Sequence, residues 1–203
     1  LEQFPTQEML VARYYSELHS GKGISDLEKK VVSQPYYSSQ STYPPRYYQR
    51  NAVNRTVEAI ARGQQRLLLV MATGTGKTYT AFQIVYRLLR SDMKKRILYL
   101  ADRNILVDQS ILQDFAPLEK TIYKVDFSDK ACLSKIASRE VNFALYHQMV
   151  GQNDEEHFKQ IPAEYFDLII VDECHRGSAK EDSNWRKVLE YFSSATQIGM
   201  TAT

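Results

Sequence analysis

An α/β domain, with a parallel sheet covered by helices on both faces, is the fold class this chain predicts. Two observations predict it. Short runs at residues 67–70, 97–101, 141–146, 166–171 and 196–200 are apolar on both faces and alternate with helical stretches, which is how strands buried under crossover helices read. Each run is also followed by polar or glycine-rich residues: 73–78, Asp102-Arg103, His147-Gln148, Asp172 to His175, and Thr201 to Thr203. In a parallel sheet all of these fall on the carboxyl rim, where such folds keep their sites.

Taken in order, the chain opens with Thr6 as N-cap of a short amphipathic helix in which Leu10, Tyr14 and Leu18 repeat every four residues, ending near Gly21. From there to about Pro45 the chain is Ser, Gln, Tyr, Pro and Gly without a sustained period, as in a linker or a wrapping segment. Residues 1–42 are therefore set apart as an N-terminal helix and linker, and 43–203 as the domain proper. Tyr36, Tyr37, Tyr43, Tyr47 and Tyr48 allow two readings: loop aromatics packed on the domain, or a wall on which adenine stacks. Gln49 adds weight to the second, because a side-chain amide pairs a donor and an acceptor with the base edge. Val53, Val57 and Ile60 then mark one face of a helix that ends at Gly63.

The strand at 67–70 feeds Met71-Ala72-Thr73-Gly74-Thr75-Gly76-Lys77-Thr78, and a helix with Ala81, Ile84, Val85, Leu88 and Leu89 on one face follows. Glycines let a backbone approach a polyphosphate closely and take unusual φ, and the helix N-terminus adds the positive end of its dipole. Thr73, Gly74, Thr75 and Gly76 thus form a candidate nucleotide cradle, Lys77 reaches the β and γ phosphates, and Thr78 binds Mg2+. Met71 stands where the strict G-x-x-x-x-G-K-[ST] pattern has its first glycine; Gly76, Lys77 and Thr78 are intact. The competing reading is a Gly/Thr-rich turn that merely precedes a lysine, and the flanking strand and helix argue against it.

Asp102-Arg103-Asn104 leads from the next strand into a helix with Val107, Ile111 and Phe115 on one side. Residues 122–127 read as a strand, 132–138 as a short helix, and 151–159, with Asp154, Glu155 and Glu156, as a solvated loop or helix start. The β-branched run at 166–171 stops at Asp172-Glu173-Cys174-His175. After a phosphate loop, an apolar strand ending in Asp-Glu is the second half of a nucleotide hydrolase. Asp172 would hold Mg2+ through its hydration shell, and Glu173 would orient or deprotonate the attacking water. Adjacent Cys174 and His175 lack the spacing of a zinc site. His175 pairs more plausibly with Thr201 or Thr203 after the last strand, linking nucleotide state to a neighbouring loop. Residues 185–192 are helical in pattern.

Composition narrows the class without choosing a partner. A 43% hydrophobic share and 25% charged residues over 203 residues suit one globular domain plus an appendage. No apolar run approaches the ~18 residues of a membrane span, so no membrane partner is expected. A formal net charge of +2 neither demands nor excludes nucleic acid. Cys132 and Cys174 are the only cysteines, which points to a reducing, cytoplasmic setting. The chain begins at Leu1 without a signal-peptide pattern and reads as an excerpt of something longer.

With these pieces in place the chain resembles the first RecA-like motor domain of a superfamily 2 helicase or translocase. Residues 74–78 match that superfamily's motif I, Asp172-Glu173-Cys174-His175 its D-E-x-H motif II and Thr201-Ala202-Thr203 its motif III, while Gln49 falls at its adenine-reading glutamine. Pro45-Arg46-Tyr47-Tyr48-Gln49, Leu100-Ala101-Asp102-Arg103-Asn104-Ile105-Leu106-Val107-Asp108-Gln109 and Asp172 through Ser178 are similar, more finely, to the motor (R) subunit of type I restriction enzymes. The resemblance implies a parent that hydrolyses ATP with Mg2+ to pull in double-stranded DNA and cut it remotely. It implies a nuclease domain and a second RecA-like domain in the same parent chain, with specificity and methylation subunits as partners. It also implies DNA contacts at Asp102, Arg103, His147 and Gln148, made to the phosphate backbone rather than to base edges. Neither a nuclease carboxylate-lysine cluster nor a second motor domain stands within these residues, so slow hydrolysis is expected of the chain alone. Another superfamily 2 DNA or RNA motor, or a nucleotide-gated binding module, stays open as an alternative.

Overall fold

The computed structural model describes residues 6, 8–10, 13, 25–39, 43–101, 111, 113–151, 155–172 and 186–202. Six strands form its sheet: β1 (Arg66–Val70), β2 (Ile97–Ala101), β3 (Ile122–Lys124), β4 (Val141–Leu145), β5 (Leu168–Val171) and β6 (Thr196–Thr201). Their spatial order is β1-β6-β5-β2-β4-β3, and every neighbouring pair is parallel. The helices are α1 (Asp26–Val32), α2 (Tyr47–Ala61), α3 (Lys77–Arg90), α4 (Cys132–Ser138), α5 (Tyr146–Val150) and α6 at residues 186–191.

Strand parity divides the core into two layers. Leu69, Ile97, Tyr99, Phe143, Ile170, Ile198 and Met200 face one side, under Val53 and Val57 of α2 and Ile84 and Leu88 of α3. Leu98, Leu100, Ala144, Ile169 and Val171 face the other, under Ile136 of α4, Met149 of α5, Val188 of α6 and the neighbouring Phe192. Burial of each large side chain contributes about 1.5–3 kcal/mol, so β2, β4 and β5, buried at every position, anchor the sheet. Strand β1 departs from that pattern: it is an edge, and Leu68 and Val70 remain 64% and 60% exposed although they read as buried in the sequence.

Two stretches differ from their sequence reading. Within the expected linker, Ser25 and Glu28 form a reciprocal capping box that starts α1, and Val31 enters the first core layer. Within the expected solvated stretch at 151–159, Phe158 is buried in the second layer and opens onto a 3-10 turn at His157–Gln160. The Thr6 cap reads correctly, since its Oγ1 accepts the Met9 N–H at 3.3 Å. Among the described residues no helix is long and apolar enough to cross a membrane.

Arg87 of α3 holds α1 in place. Its fully buried guanidinium donates to the carbonyls of Val31 (3.0 Å) and Val32 (2.8 Å) and to Asn54 Oδ1 of α2 (2.7 Å). Tyr36, which donates to the same Asn54 at 2.7 Å, lies 5.1 Å under the guanidinium. Replacing Arg87 by Met keeps the apolar stem but removes three hydrogen bonds; Asn54 Oδ1 keeps its Tyr36 donor and the Val31 carbonyl the Gln34 N–H, so the loss falls below the sum of about 1–3 kcal/mol for each. We expect Arg87→Met to cost roughly 2–4 kcal/mol in all, measured as a lowered urea midpoint with unchanged slope.

Candidate nucleotide site at the carboxyl rim

The loop between β1 and α3 has the geometry that its glycines suggest. Gly74 and Gly76 take φ of 77° and 82°, the left-handed region open to glycine. Gly76 is the N-cap of α3 and accepts the Thr80 N–H at 2.9 Å, so the helix starts at Lys77 and Thr78 occupies its first turn. A tight turn closes the loop, with the Thr75 N–H and Oγ1 both donating to the Ala72 carbonyl, at 3.2 and 2.6 Å. Backbone donors at the start of a 14-residue helix are thereby turned toward the rim.

Gln49 reaches this loop from the first turn of α2. Its Oε1 accepts the Arg46 N–H at 2.8 Å and its Nε2 donates to the Thr75 carbonyl at 2.9 Å. A Cβ on Gly76 would stand 2.5 Å from that Nε2, so the amide fits only because residue 76 is glycine. Beside it lies a cleft of ≈ 330 Å³ lined by Tyr43, Arg46, Gln49, Gly74, Tyr79 and Asp114, among others. Tyr43 is 90% exposed there, and its carbonyl accepts the Tyr79 hydroxyl at 3.1 Å. Burial raises the pKa of both Tyr79 and Asp114.

The tyrosines divide between the two readings of the sequence. Tyr37 packs edge-on against Phe82 and Tyr86 and, through its backbone, exchanges two hydrogen bonds with Gln83, and Tyr36 is committed to Asn54; both are packing residues. Tyr43 lines the cleft, and Tyr48 touches the loop through a 3.4 Å bond to the Thr75 carbonyl. Tyr79 was missed, although its place one turn into the loop's own helix was a usable signal. Arg46, directly after the Tyr43-Pro44-Pro45 run, carried a weaker one, and Asp114 carried none.

Asp172 continues β5 to the rim. Its N–H donates to the Leu100 carbonyl at 2.9 Å, and its parity with Leu168 and Ile170 turns its carboxylate to the face covered by α3. Only 7% exposed, it accepts the Tyr99 hydroxyl on Oδ2 at 3.1 Å. Burial and the neighbouring carboxylate push the Tyr99 pKa well above its ordinary value, so the phenol stays a donor. Between β5 and β1 lies β6, whose last residue Thr201 is buried and accepts the Met71 N–H at 2.9 Å, tying the end of β6 to the start of the loop. A Thr78 hydroxyl and an Asp carboxylate form an oxygen-only set of the kind that suits Mg2+ with water and phosphate completing its shell. Among the described residues no cluster of three or more His, Cys, Asp or Glu could hold a metal.

His147 and Gln148 lie in the short helix α5 rather than a loop. Gln148 Oε1 accepts the Leu145 N–H at 3.3 Å, capping that helix, while His147 lines a ≈ 340 Å³ cleft with Asp126, Phe127, Glu155 and His157. The carboxylates give this cleft local negative charge. Asp102, Arg103, Glu173, Cys174, His175 and Thr203 lie outside the described residues.

A glycine loop at the end of one strand and a buried Asp two strands away on the same sheet face give the arrangement of a RecA-like domain. Residues 42–203 match the family described as Type III restriction enzyme, res subunit, and the chain belongs to that family. It is 50% identical, over its whole length, to the type I restriction enzyme EcoAI endonuclease subunit of Escherichia coli, of which it spans 24%. To the EcoKI endonuclease subunit of Escherichia coli (strain K12) it is 36% identical over 78% of the chain and 15% of that protein. A solved fragment assigned to the HsdR subunit of a type I restriction enzyme from Vibrio vulnificus YJ016 superposes with a TM-score of 0.73 and 38% identity. That match covers 100% of this chain and 33% of the other. The chain thus spans about a quarter of the EcoAI subunit or less of such relatives.

The two loop glycines separate strain from contact. Gly74→Ala meets nothing within 4 Å and carries only the left-handed backbone cost, about 1–2 kcal/mol. Gly76→Ala adds a collision with the Gln49 amide, so it should lower the urea midpoint further and abolish nucleotide binding, whereas Gly74→Ala retains a folded loop. Equal effects from the two would contradict the assigned contact.

Proposed function

We propose that residues 43–203 are the first RecA-like motor domain of a type I restriction R subunit, binding ATP with Mg2+ to drive double-stranded DNA translocation before remote cleavage. The observation that carries this is the convergence of the 74–78 loop and Asp172 on one sheet face, in a chain 50% identical to the EcoAI endonuclease subunit. Loop N–H groups and Lys77 hold the phosphates, and Gln49 with the Tyr43–Tyr79 cleft holds the base. Thr78 and, through water, Asp172 hold Mg2+, which when bound neutralises phosphate charge. Glu173 takes the proton of the attacking water. His175, Thr201 and Thr203 carry the nucleotide state to the adjoining loop.

In the parent protein a second RecA-like domain supplies the arginine finger, a nuclease domain cuts, and specificity and methylation subunits choose the site. DNA contacts at Asp102, Arg103, His147 and Gln148 are to the backbone, and binding therefore weakens steeply with salt. The local acidity of the His147 cleft makes Arg103 the stronger phosphate partner of the set.

The full-length parent, with its partner subunits, is expected to turn over ATP only with double-stranded DNA; turnover driven by RNA or single strands would move the function to a general helicase. Within the 203 residues, Lys77→Ala should remove triphosphate binding. Glu173→Gln should keep ATP bound and stop its hydrolysis in the parent. Lacking the finger, the isolated chain should hydrolyse ATP roughly a thousandfold more slowly than the parent, as followed by phosphate release.

A further inference from the structure

We infer that Tyr99 and Tyr146 are positioning residues that hold Asp172 from the two faces of the sheet, Tyr99 aiming its carboxylate and Tyr146 fixing its peptide. This rests on the reading of Asp172 as the Mg2+ carboxylate and adds two residues to it. Tyr99 lies in the middle of β2, completely buried, one strand over from Asp172. Its ring is held on two sides: stacked on Phe143 with centroids 4.7 Å apart, and edge-to-face with Phe115 at 5.7 Å. With the ring so fixed, the hydroxyl has one direction, and it ends 3.1 Å from Asp172 Oδ2.

Tyr146 approaches from the opposite layer. It begins α5, packs partly buried against the second core layer, and its hydroxyl donates to the Asp172 carbonyl at 2.8 Å. Residue 172 is the first after β5, where the ladder that would otherwise fix its backbone is ending. Its N–H still donates to Leu100, its carbonyl is held by the Tyr146 phenol from α5, and its carboxylate by the Tyr99 phenol from β2. The consequence for chemistry is orientational: a carboxylate that holds a cation through water works through the directions of its lone pairs, and second-shell hydrogen bonds are what set them.

Any tyrosine hydroxyl in a core needs an acceptor, so the hydrogen bond by itself would equally suit mere satisfaction of a buried group. The two roles differ in what they move. A packing role changes stability alone; a positioning role changes the Mg2+ requirement of nucleotide binding while leaving metal-free binding in place. Tyr99→Phe removes one oxygen and keeps the stack, which isolates the question.

The test is binding of a fluorescent ATP analogue by the purified protein, titrated with MgCl2 and, separately, in EDTA, for the parent, Tyr99→Phe, Tyr146→Phe, Asp172→Asn and the Tyr99→Phe/Asp172→Asn pair. For Tyr99→Phe the Mg2+ concentration at half-maximal enhancement should rise roughly tenfold, the loss of one hydrogen bond to a charged group, with affinity in EDTA near the parent's and the thermal midpoint lowered by only about a few degrees. Tyr146→Phe, at a partly exposed site, should rise by about threefold, as for one neutral hydrogen bond, and supplies the second arm should Tyr99→Phe not fold. Adding Tyr99→Phe to Asp172→Asn should change nothing further, because the group being aimed is gone. An unchanged Mg2+ requirement in both tyrosine variants, with Asp172→Asn shifted, overturns the positioning role. So does a Tyr99→Phe that loses stability and EDTA affinity together. If Asp172→Asn itself leaves the Mg2+ requirement unmoved, it is the metal assignment of Asp172 that fails.

Discussion

Because all six strands run parallel, each must be followed by a connection that carries the chain back over one face of the sheet, and every such connection departs from the same rim. The two core layers record this. Steps from β1 to β2 and from β2 to β3 move toward the β3 edge, and their connecting residues, Ile84, Leu88 and Phe115, lie in the first layer. Steps from β3 to β4, β4 to β5 and β5 to β6 move the other way, and Ile136, Phe158 and Val188 lie in the second. One crossover hand throughout requires this segregation. The same constraint makes β1, β6 and β5 adjacent, so that β1 and β5 end roughly 10 Å apart, two strand spacings. Thr201 ends the strand between them, and residues far apart in sequence thereby share one rim.

Within that frame the loop is shaped by one missing side chain. The left-handed turn at Gly76 lets α3 begin abruptly, and the absence of a Cβ leaves space for the Gln49 amide to dock on Thr75. Since Gln49 also caps its own helix through Arg46, the N-termini of α2 and α3 are locked together by a single side chain. A glutamine amide has two donors and two acceptor positions; one of each is spent here, so the same group can still face a base in the adjoining cleft. The cleft and the loop thereby share an atom group.

What was legible in the sequence was local or periodic. The apolar run at 97–101 became a strand as read, the run at 141–146 became one that stops at Leu145 because Tyr146 starts a helix, the 132–138 helix has those limits, and the loop glycines took the backbone that their motif needs. What was not legible depended on which segments meet. Leu68 and Val70 read as core because nothing local distinguishes an edge strand from a central one. Nothing local marks Arg87 for burial; it is α1 that places two carbonyls against it. The Ser25–Glu28 capping box was visible in principle and lost in a Ser-rich background. Tyr99 read as one more apolar strand residue, since its hydrogen bond spans two strands whose adjacency no periodicity encodes.

The site so formed has two unlike halves. Its loop side is backbone and glycine, shaped by conformation and by a few hydrogen bonds of about 1 kcal/mol net each. Its acid side rests on the core: Phe82 of α3, Phe115, Phe143 of β4 and Tyr99 of β2 form a continuous run of aromatic contacts with centroids 4.7–5.7 Å apart, ending in the bond to Asp172. Each contact adds about 0.5–1.5 kcal/mol beyond area burial, and close-packed interiors resist gradual deformation. Moving the carboxylate therefore means repacking several rings, whereas changing the loop means rotating a few glycine dihedrals. The acid is thus the fixed reference of the site and the loop its adjustable part, an asymmetry that follows from placing Tyr99 in the core and Gly76 at the rim.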